Sequence, residues 1–216
     1  SLGRFYQLPP YTVLGYRDSE DRLVNKGSGV TYIGCDHAVL GLEYLPGTNT
    51  KITIEGFYKA YSNYPFLLRD SISLANLGSD FGVIGNEPVT SSSDGRAYGV
   101  EFLAQQKLFK GFYGIVAYTW VVSEFQDKNG TFLPSAWDNG NILTLTGGKK
   151  FKGDWEVGVR FRYLGGAPYT PFDTELSSVR STWDVRGVGL FDYDQLNAER
   201  NGAVHQLDVR LDKRFY

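Results

Sequence analysis

The segment Asp154–Leu164, DWEVGVRFRYL, decides the fold class of this chain. Apolar side chains occupy every second position: Trp155, Val157, Val159, Phe161 and Tyr163. The positions between them are charged or glycine: Asp154, Glu156, Gly158, Arg160 and Arg162. Successive side chains of a β-strand point to opposite faces, so the pattern predicts a strand with one apolar face and one charged face. Rings at both ends with aliphatic residues between them suit a lipid bilayer, although a soluble β-sandwich strand alternates in the same way.

The composition fits a β-rich protein and excludes several classes. Aromatic residues make up 15% of the 216 residues, and glycine occurs 26 times. The formal net charge of -2 offers no attraction to nucleic acid, and no apolar run is long enough for a transmembrane helix. Cys35 is the single cysteine, so neither a disulfide framework nor a zinc cluster is expected. The sequence has no methionine and opens on Ser1-Leu2-Gly3, which we interpret as part of a longer protein.

The same alternation recurs along the chain and predicts seven long strands. They are expected at about residues 36–45, 50–61, 96–109, 112–125, 141–151, 154–164 and 202–216. Residues 1–35 lack this periodicity and contain Pro9-Pro10, which cannot lie in a central strand, so a loop is predicted there. The strand at 112–125 is apolar on both faces, and its orientation stays open.

The connections between these strands alternate in length. Short turns are expected at Pro46–Asn49, Lys110-Gly111 and Lys152-Gly153, and longer loops at about 62–95, 127–138 and 165–201. Long strands with short turns at one end and long loops at the other are typical of outer-membrane barrels. We therefore predict an all-β fold: an antiparallel up-and-down meander of about seven long strands that forms part of a transmembrane β-barrel. Residues 1–35 would be an extracellular loop segment and residues 36–216 the partial barrel.

Four stretches resemble the TonB-dependent outer-membrane receptors of the Bacteroidetes type. They are Gly95–Phe102 (GRAYGVEF), Ser135–Asp138 with Ile142–Leu145, Tyr163–Pro171 (YLGGAPYTP) and His205–Lys213 (HQLDVRLDK). The stretches follow the order found in the family, and each lies at a junction between a loop and a strand. One departure is that Asn139, Gly140 and Asn141 stand where the family often has an Arg-His pair.

This resemblance implies a function, partners and a location. The chain would be a barrel-wall segment from the C-terminal half of a receptor that imports an iron chelate, a corrinoid or a glycan across the outer membrane of a Gram-negative bacterium. The implied partners are outer-membrane lipid, the imported ligand, and the plug domain and TonB, which act through other parts of the parent protein. No cofactor is implied.

The number of strands leads to a further expectation about the sheet. The family barrel has about 22 strands, so seven strands should form an open sheet whose first and last strands are unpaired or have their edges filled by another chain. Two alternatives remain open: a small non-enzymatic outer-membrane barrel or porin, and a soluble carbohydrate-binding β-sandwich.

Two sets of side chains are candidate site residues. The first set consists of charges predicted to face the barrel lumen: Glu156, Arg160, Arg162, Asp208, Arg210 and Asp212. These charges would either select ligands or pair with one another as an ordinary lumen wall. The second set consists of rings in predicted extracellular loops: Trp137, Tyr169, Phe172 and Trp183. Such rings would either stack on a ligand or serve loop packing and lipopolysaccharide contact.

Neither a catalytic set nor a metal site is predicted. His205 falls on the apolar side of its strand, whereas Asp208 falls on the charged side, so the two cannot act together. His37 and Asp36 are adjacent and therefore point to opposite faces. The sequence therefore favours a transporter or a binding protein over an enzyme.

Overall fold

One antiparallel sheet dominates the computed structural model, which describes residues 1–78 and 83–215. Its strands along the main path are β1 (Leu2–Gln7), β2 (Ile33–Gly47), β3 (Thr50–Leu67), β5 (Val89–Phe109), β6 (Phe112–Gln126), β8 (Asn141–Lys150), β9 (Trp155–Leu164) and β12 (Val204–Lys213). Short strands β4 (Ile72–Ser73) and β7 (Phe132–Pro134) pair with β3 and β6. A separate two-stranded ribbon joins β10 (Pro168–Tyr169) to β11 (Glu199–Arg200).

Helical structure is confined to the connections. The helices are α1 (Tyr11–Leu14), α2 (Thr174–Ser177) and α3 (Arg180–Arg186), and single 3₁₀ turns cover Asn25–Gly27, Leu74–Asn76 and Tyr193–Gln195. Each strand of the main path runs antiparallel to its neighbours, in the order β1-β2-β3-β5-β6-β8-β9-β12. The predicted fold class, an all-β antiparallel meander, is therefore confirmed.

The residues predicted as a loop at 1–35 contain a strand, which corrects the sequence analysis. Strand β1 pairs with β2 from Leu2↔Ala38 to Gln7↔Ile33. The physical reason is that the edge of β2 offers free backbone groups, and backbone pairing with that edge forms a strand although LGRFYQ does not alternate. The edges of the sheet are consequently β1 and β12, and the first predicted strand, 36–45, is partly covered by β1.

Strand β5 also begins earlier than predicted, at Val89 instead of residue 96. Its serine-rich start had suggested a loop, but Val89–Ser93 pairs with Tyr64–Leu67 at the far end of β3. At the other end of the chain, the predicted final strand reached Tyr216, which lies outside the described residues. Part of the predicted connection 62–95, residues 79–82, lies outside them as well.

The sheet is open. Strand β1 pairs only with β2, and β12 pairs only with β9, so the two edges do not meet within the described residues. This confirms that the last strand, β12, has one edge without a partner. The described part of the chain therefore does not close a small barrel. The turn Lys110-Gly111 shows how tightly the short connections are made: both residues have positive φ (48° and 84°), as a two-residue hairpin requires.

The long connections gather at one end of the sheet, which we call the long-loop end; the opposite end is the short-turn end. Together these connections, residues 8–32, 68–78, 83–88, 127–140 and 165–203, form what we call the loop cluster. Its core is apolar and fully buried, built from Val13, Leu74 and the strand ends Leu67 and Val89. Tight apolar burial therefore lies under the loops and near the adjoining strand ends, which indicates that the broad apolar face of the sheet meets something other than this chain.

Candidate functional site

The sheet has one continuous apolar face, formed by side chains that the strand register brings side by side. One row across it is Leu42, Ile54, Phe102, Tyr118, Leu143, Tyr163 and His205, and the next is Tyr44, Ile52, Ala104, Val116, Leu145, Phe161 and Leu207. Among the described residues no second large sheet covers these rows. Val159 is 44% exposed and Val209 68% exposed, whereas Val157 and Phe161 are half-buried by neighbours on the same face.

This arrangement also gives strand β6 its orientation. Val116 and Tyr118 pair with Leu145 and Leu143 and therefore lie on the apolar face, while Ala117 and Thr119 lie on the opposite face. In a soluble protein such rows of apolar side chains would be buried in the core, whereas many of these are exposed.

Aromatic rings bound the apolar face at both ends. Towards the long-loop end, the rings of Tyr58 and Tyr98 stack with centroids 6.3 Å apart, and Tyr98 meets Trp120 edge-on at 6.1 Å. Towards the short-turn end stand Phe112, Phe151 and Trp155, each about half exposed. Rings at both ends of an apolar face match the two interfaces of a membrane.

The opposite, polar face carries the six charged residues predicted to face the lumen. The structure brings three of them together at the short-turn end: Arg210 Nε lies 2.6 Å from Asp212, and Arg210 Nη2 lies 4.0 Å from Glu156. Glu156 also accepts a hydrogen bond of 2.6 Å from the hydroxyl of Tyr113, and Lys150 lies 3.9 Å from it. This group is a connected network of charges across neighbouring strands.

The other three predicted charges are arranged more loosely. Arg160 stands opposite Asp208 in the register, and Arg162 stands opposite Gln206. Within the described residues neither arginine lies within 4.0 Å of a carboxylate, and Asp208 instead accepts hydrogen bonds from Gln206 at 3.1 and 3.2 Å. Both guanidinium groups are thus open to whatever occupies the space beside this wall.

The sequence analysis missed one pair of neighbouring carboxylates on the polar face. Glu55 and Glu101 are register partners on β3 and β5, so two like charges stand side by side. Neighbouring Glu43 forms an ion pair with Lys51, but neither Glu55 nor Glu101 has a basic partner among the described residues. The alternation in GRAYGVEF places Glu101 on the polar face, and only the register reveals its neighbour.

The four rings proposed as ligand contacts lie in or next to the loop cluster but do not form one group. Phe172 stacks on Phe191 with centroids 4.7 Å apart, and Trp183 donates its indole N–H to the carbonyl of Ser177 at 2.6 Å. Tyr169 belongs to β10, and Trp137 is 54% exposed. No ring contact joins any two of the four within the described parts of the chain, and the residue that stacks on Phe172 was not expected.

Buried amides hold the loop cluster together. Asn197 donates from Nδ2 to the carbonyls of Asn76 and Pro134, both at 2.8 Å, which links three connections far apart in sequence. Asn25 does the same elsewhere: it donates to Glu87 O at 2.9 Å and accepts from Val89 N at 3.0 Å. Because buried polar groups are costly unless satisfied, these side chains fix the loops in one arrangement.

A cavity of about 160 Å³ opens inside the loop cluster. It is lined by polar residues and one aromatic pair: Arg69, Asp70, Asn76, Glu87, Thr170, Phe191 and Tyr193, together with apolar neighbours. Burial raises the pKa of the Glu87 carboxyl, nearby Arg69 opposes the shift, and Asp70 adds to it. Asn76 Oδ1 is buried without a hydrogen-bond partner. The cavity therefore offers hydrogen-bond acceptors beside aromatic rings.

The remaining chemical groups lie as follows. His205 is on the apolar face between Tyr163 and Phe161, with ring centroids 5.2 and 6.4 Å away, while Asp208 lies on the polar face. Across residues 1–78 and 83–215, no three histidine, cysteine or acidic side chains are grouped to hold a metal ion. None of the helices described is long and apolar enough to cross a bilayer.

Comparison with solved structures places this sheet in a known class. The ferric-catecholate import receptor Fiu from E. coli K12 matches with a TM-score of 0.64 at 13% identity, covering 100% of this chain and 26% of that chain. The ferripyoverdine receptor of Pseudomonas aeruginosa matches at 0.61 and 17%, covering 97% and 24%. The FrpB iron transporter of Neisseria meningitidis matches at 0.56 and 14%, covering 86% and 25%. The chain thus spans about a quarter of the length of each.

A one-sided sheet, with rings at both ends of its apolar face and charges on its opposite face, defines a segment of outer-membrane β-barrel wall. The family model for the TonB-dependent receptor-like β-barrel matches residues 38–215, and the chain belongs to that family. This confirms the family inferred from the four stretches and the location in the outer membrane of Gram-negative bacteria. None of the curated protein sequences matches.

Proposed function

We propose that this chain forms part of the wall of a TonB-dependent receptor that imports a small ligand across the outer membrane. The observation that carries the proposal is the two-faced open sheet: an uncovered apolar face, a charged opposite face, and bare strand edges at β1 and β12. In the proposed receptor the charged face is the inner one. Bare edges are costly and prone to mispairing, so further strands would continue the sheet on both sides.

The inner face supports the proposal through its unbalanced charge. Glu55 and Glu101 repel each other unless a cation lies between or beside them. A basic side chain of a plug domain inside the barrel would supply that cation, and the unpaired Arg160 and Arg162 would meet acceptors of the plug or of the passing ligand. The partner classes are thus a plug on the inner face and lipid on the apolar face, with TonB acting through the plug.

The loop cluster supports a ligand role at the outer surface. With the short turns at the periplasmic side, the long loops face outward, as is usual for outer-membrane barrels. There Trp137, Tyr169, Phe172 and Trp183 are the proposed ligand contacts, with Phe172 acting together with Phe191. Iron chelates are the ligands named for several structural neighbours, and corrinoids and glycans complete the proposed classes.

The test is growth of a strain in which the complete gene is deleted, on media where an iron chelate, a corrinoid or a glycan is the sole source of its nutrient. Loss of growth on one source, restored by the intact gene but not by a copy carrying a deletion of the loop residues 172–191, supports import. Normal growth of the deletion strain on all three sources would contradict the proposal.

The two alternatives have less support. A soluble carbohydrate-binding sandwich requires a second sheet against the apolar face, and the only other sheet described is the short β10-β11 ribbon. A small closed barrel or porin requires β1 or β2 to pair with β12, and they do not.

A further inference from the structure

A groove crosses the half of the apolar face nearest the short-turn end. Two glycines that face outward lie side by side there. Gly114 and Gly147 are register partners on β6 and β8, so neither strand carries a side chain at that level. The resulting groove has a volume of about 750 Å³ and is bordered by apolar side chains, among them Val157, Val159 and Phe161. On a face that meets lipid, such a groove fits an acyl chain.

A lysine stands at the end of this groove that is nearest the short-turn end of the sheet. Lys149 lines it, faces the same way as its register partners Phe112 and Val157, and is half-buried. Its ammonium lies 4.4 Å from the ring centre of Phe112 and 5.0 Å from that of Phe151. A lysine on a lipid-facing surface extends its charge to the interface, and two rings hold this one in place.

The charge of Lys149 is not balanced by the protein. Among the described residues no carboxylate lies within 4.0 Å of its ammonium, and its neighbours on the apolar face, Phe112 and Val157, are apolar. The other boundary of the apolar face differs: Arg4 pairs with Asp36 at 2.5 Å, and Arg96 pairs with Glu124 at 2.7 Å. These arginines on the apolar face are thus neutralised within the chain, whereas an anion that neutralises Lys149 would have to come from outside the described residues.

We propose that Lys149 and the Gly114/Gly147 groove form a binding site for one glycerophospholipid of the periplasmic leaflet. Lys149 binds the phosphate diester of the headgroup, and the groove takes an acyl chain. A second lysine stands near the site: the Lys213 ammonium lies 5.4 Å from the Trp155 ring centre and donates a hydrogen bond to the Gly153 carbonyl. From strand spacing, its Cα is about 12 Å from that of Lys149, so Lys213 adds positive charge beside the site. The orientation of the site rests on the proposed function.

The experiment measures lipid binding by the complete purified receptor in detergent. Dioleoyl phosphatidylglycerol is titrated and bound lipid is counted by native mass spectrometry. Lys149→Ala should weaken binding of one lipid about fivefold, the effect of removing one basic residue near an anionic lipid surface. Lys149→Arg should retain binding. The matched control is Lys150→Ala: it removes the next lysine, which faces the polar side near Glu156, and should leave binding unchanged.

Two further probes separate the parts of the site. Dioleoylglycerol, which lacks the phosphate, should bind the native receptor and Lys149→Ala equally, and millimolar inorganic phosphate should not displace phosphatidylglycerol. Equal losses in Lys149→Ala and Lys150→Ala, no loss in Lys149→Ala, or displacement by inorganic phosphate would each overturn the site. Heat-modifiable migration on gels checks that each variant is folded, and Lys149→Gln replaces an unfolded alanine variant. Ligand import is not measured, so failure here leaves the import proposal untouched.

Discussion

Arg200 binds Asp138 twice, although 62 residues separate them. One guanidinium nitrogen donates to the Asp138 carbonyl at 2.6 Å, and the other lies 3.0 Å from its carboxylate. That carboxylate is only 5% exposed, and it also accepts from Gly140 N at 3.2 Å. The contact joins the β6–β8 connection to the β9–β12 connection, so the arrangement of the loop cluster depends on this buried carboxylate and its partner.

Removal of the arginine should therefore loosen these loops. Arg200→Ala leaves a buried carboxylate unpaired, which should cost about 1–3 kcal/mol locally. Hydrogen exchange at Gly140 measures the change, and protection there should fall. Arg180→Ala serves as the control, because the Arg180–Asp184 pair is exposed (93% and 63%) and should contribute little. Equal effects of the two variants would contradict the role given to Arg200.

A charge on the apolar face should be costly, whereas the same charge on the polar face should not. Val159→Arg near the middle of the band should lower the free energy of unfolding in lipid vesicles by about 2–4 kcal/mol. Thr119→Arg is the control, because Thr119 lies on the polar face directly opposite Glu101. Urea titration of the reconstituted receptor checks both. A Val159→Arg receptor as stable as the native one would mean that this face does not meet lipid.

The carboxylate pair should anchor the plug in the complete receptor. Glu101→Gln removes the charge facing Glu55 and should weaken plug docking by about 1.5–3 kcal/mol, the usual value for a hydrogen bond to a charged group. The urea concentration at which the plug becomes accessible to protease reports the change. Glu43→Gln is the matched control, because Glu43 already has Lys51 as its partner on the wall. Unchanged plug release in Glu101→Gln would show that the pair has no basic partner there.

Stability of the loop cluster should fall as pH rises above the ordinary range of a glutamate. Burial raises the pKa of Glu87, so the folded loops bind a proton more readily than the unfolded chain. Stability is then full below the unfolded pKa and declines between the unfolded and folded values. The protection factor of the Val89 amide, which donates to Asn25, should fall across that window, after correction for the intrinsic pH dependence of amide exchange. Glu87→Gln should abolish this fall in protection, whereas the exposed change Glu20→Gln should preserve it.

Some of the fold could be predicted from local alternation because a strand shows its two faces in its own sequence. The segment DWEVGVRFRYL placed Val157 and Glu156 on opposite faces, and the structure agrees. Strand β1 was missed because six residues, LGRFYQ, carry too short a pattern, and the strand exists only through its pairing with β2. The serine-rich start of β5 was missed for the same reason: its partner, the far end of β3, supplies the hydrogen bonds.

The features of the candidate site also separate into those that the local sequence predicts and those that depend on pairing between strands. Sequence alone determined the fold class, the faces of the long strands other than β6, and the end at which the loops gather, since these follow from periods and lengths along one segment at a time. The family followed separately, from the resemblance of four stretches to TonB-dependent receptors. Only the tertiary structure decided which residues become neighbours across strands: Glu55 with Glu101, Gly114 with Gly147, and Arg200 with Asp138. Register depends on pairing between distant segments. The alternation of apolar and polar residues along one strand does not identify the residue opposite each position on the next strand.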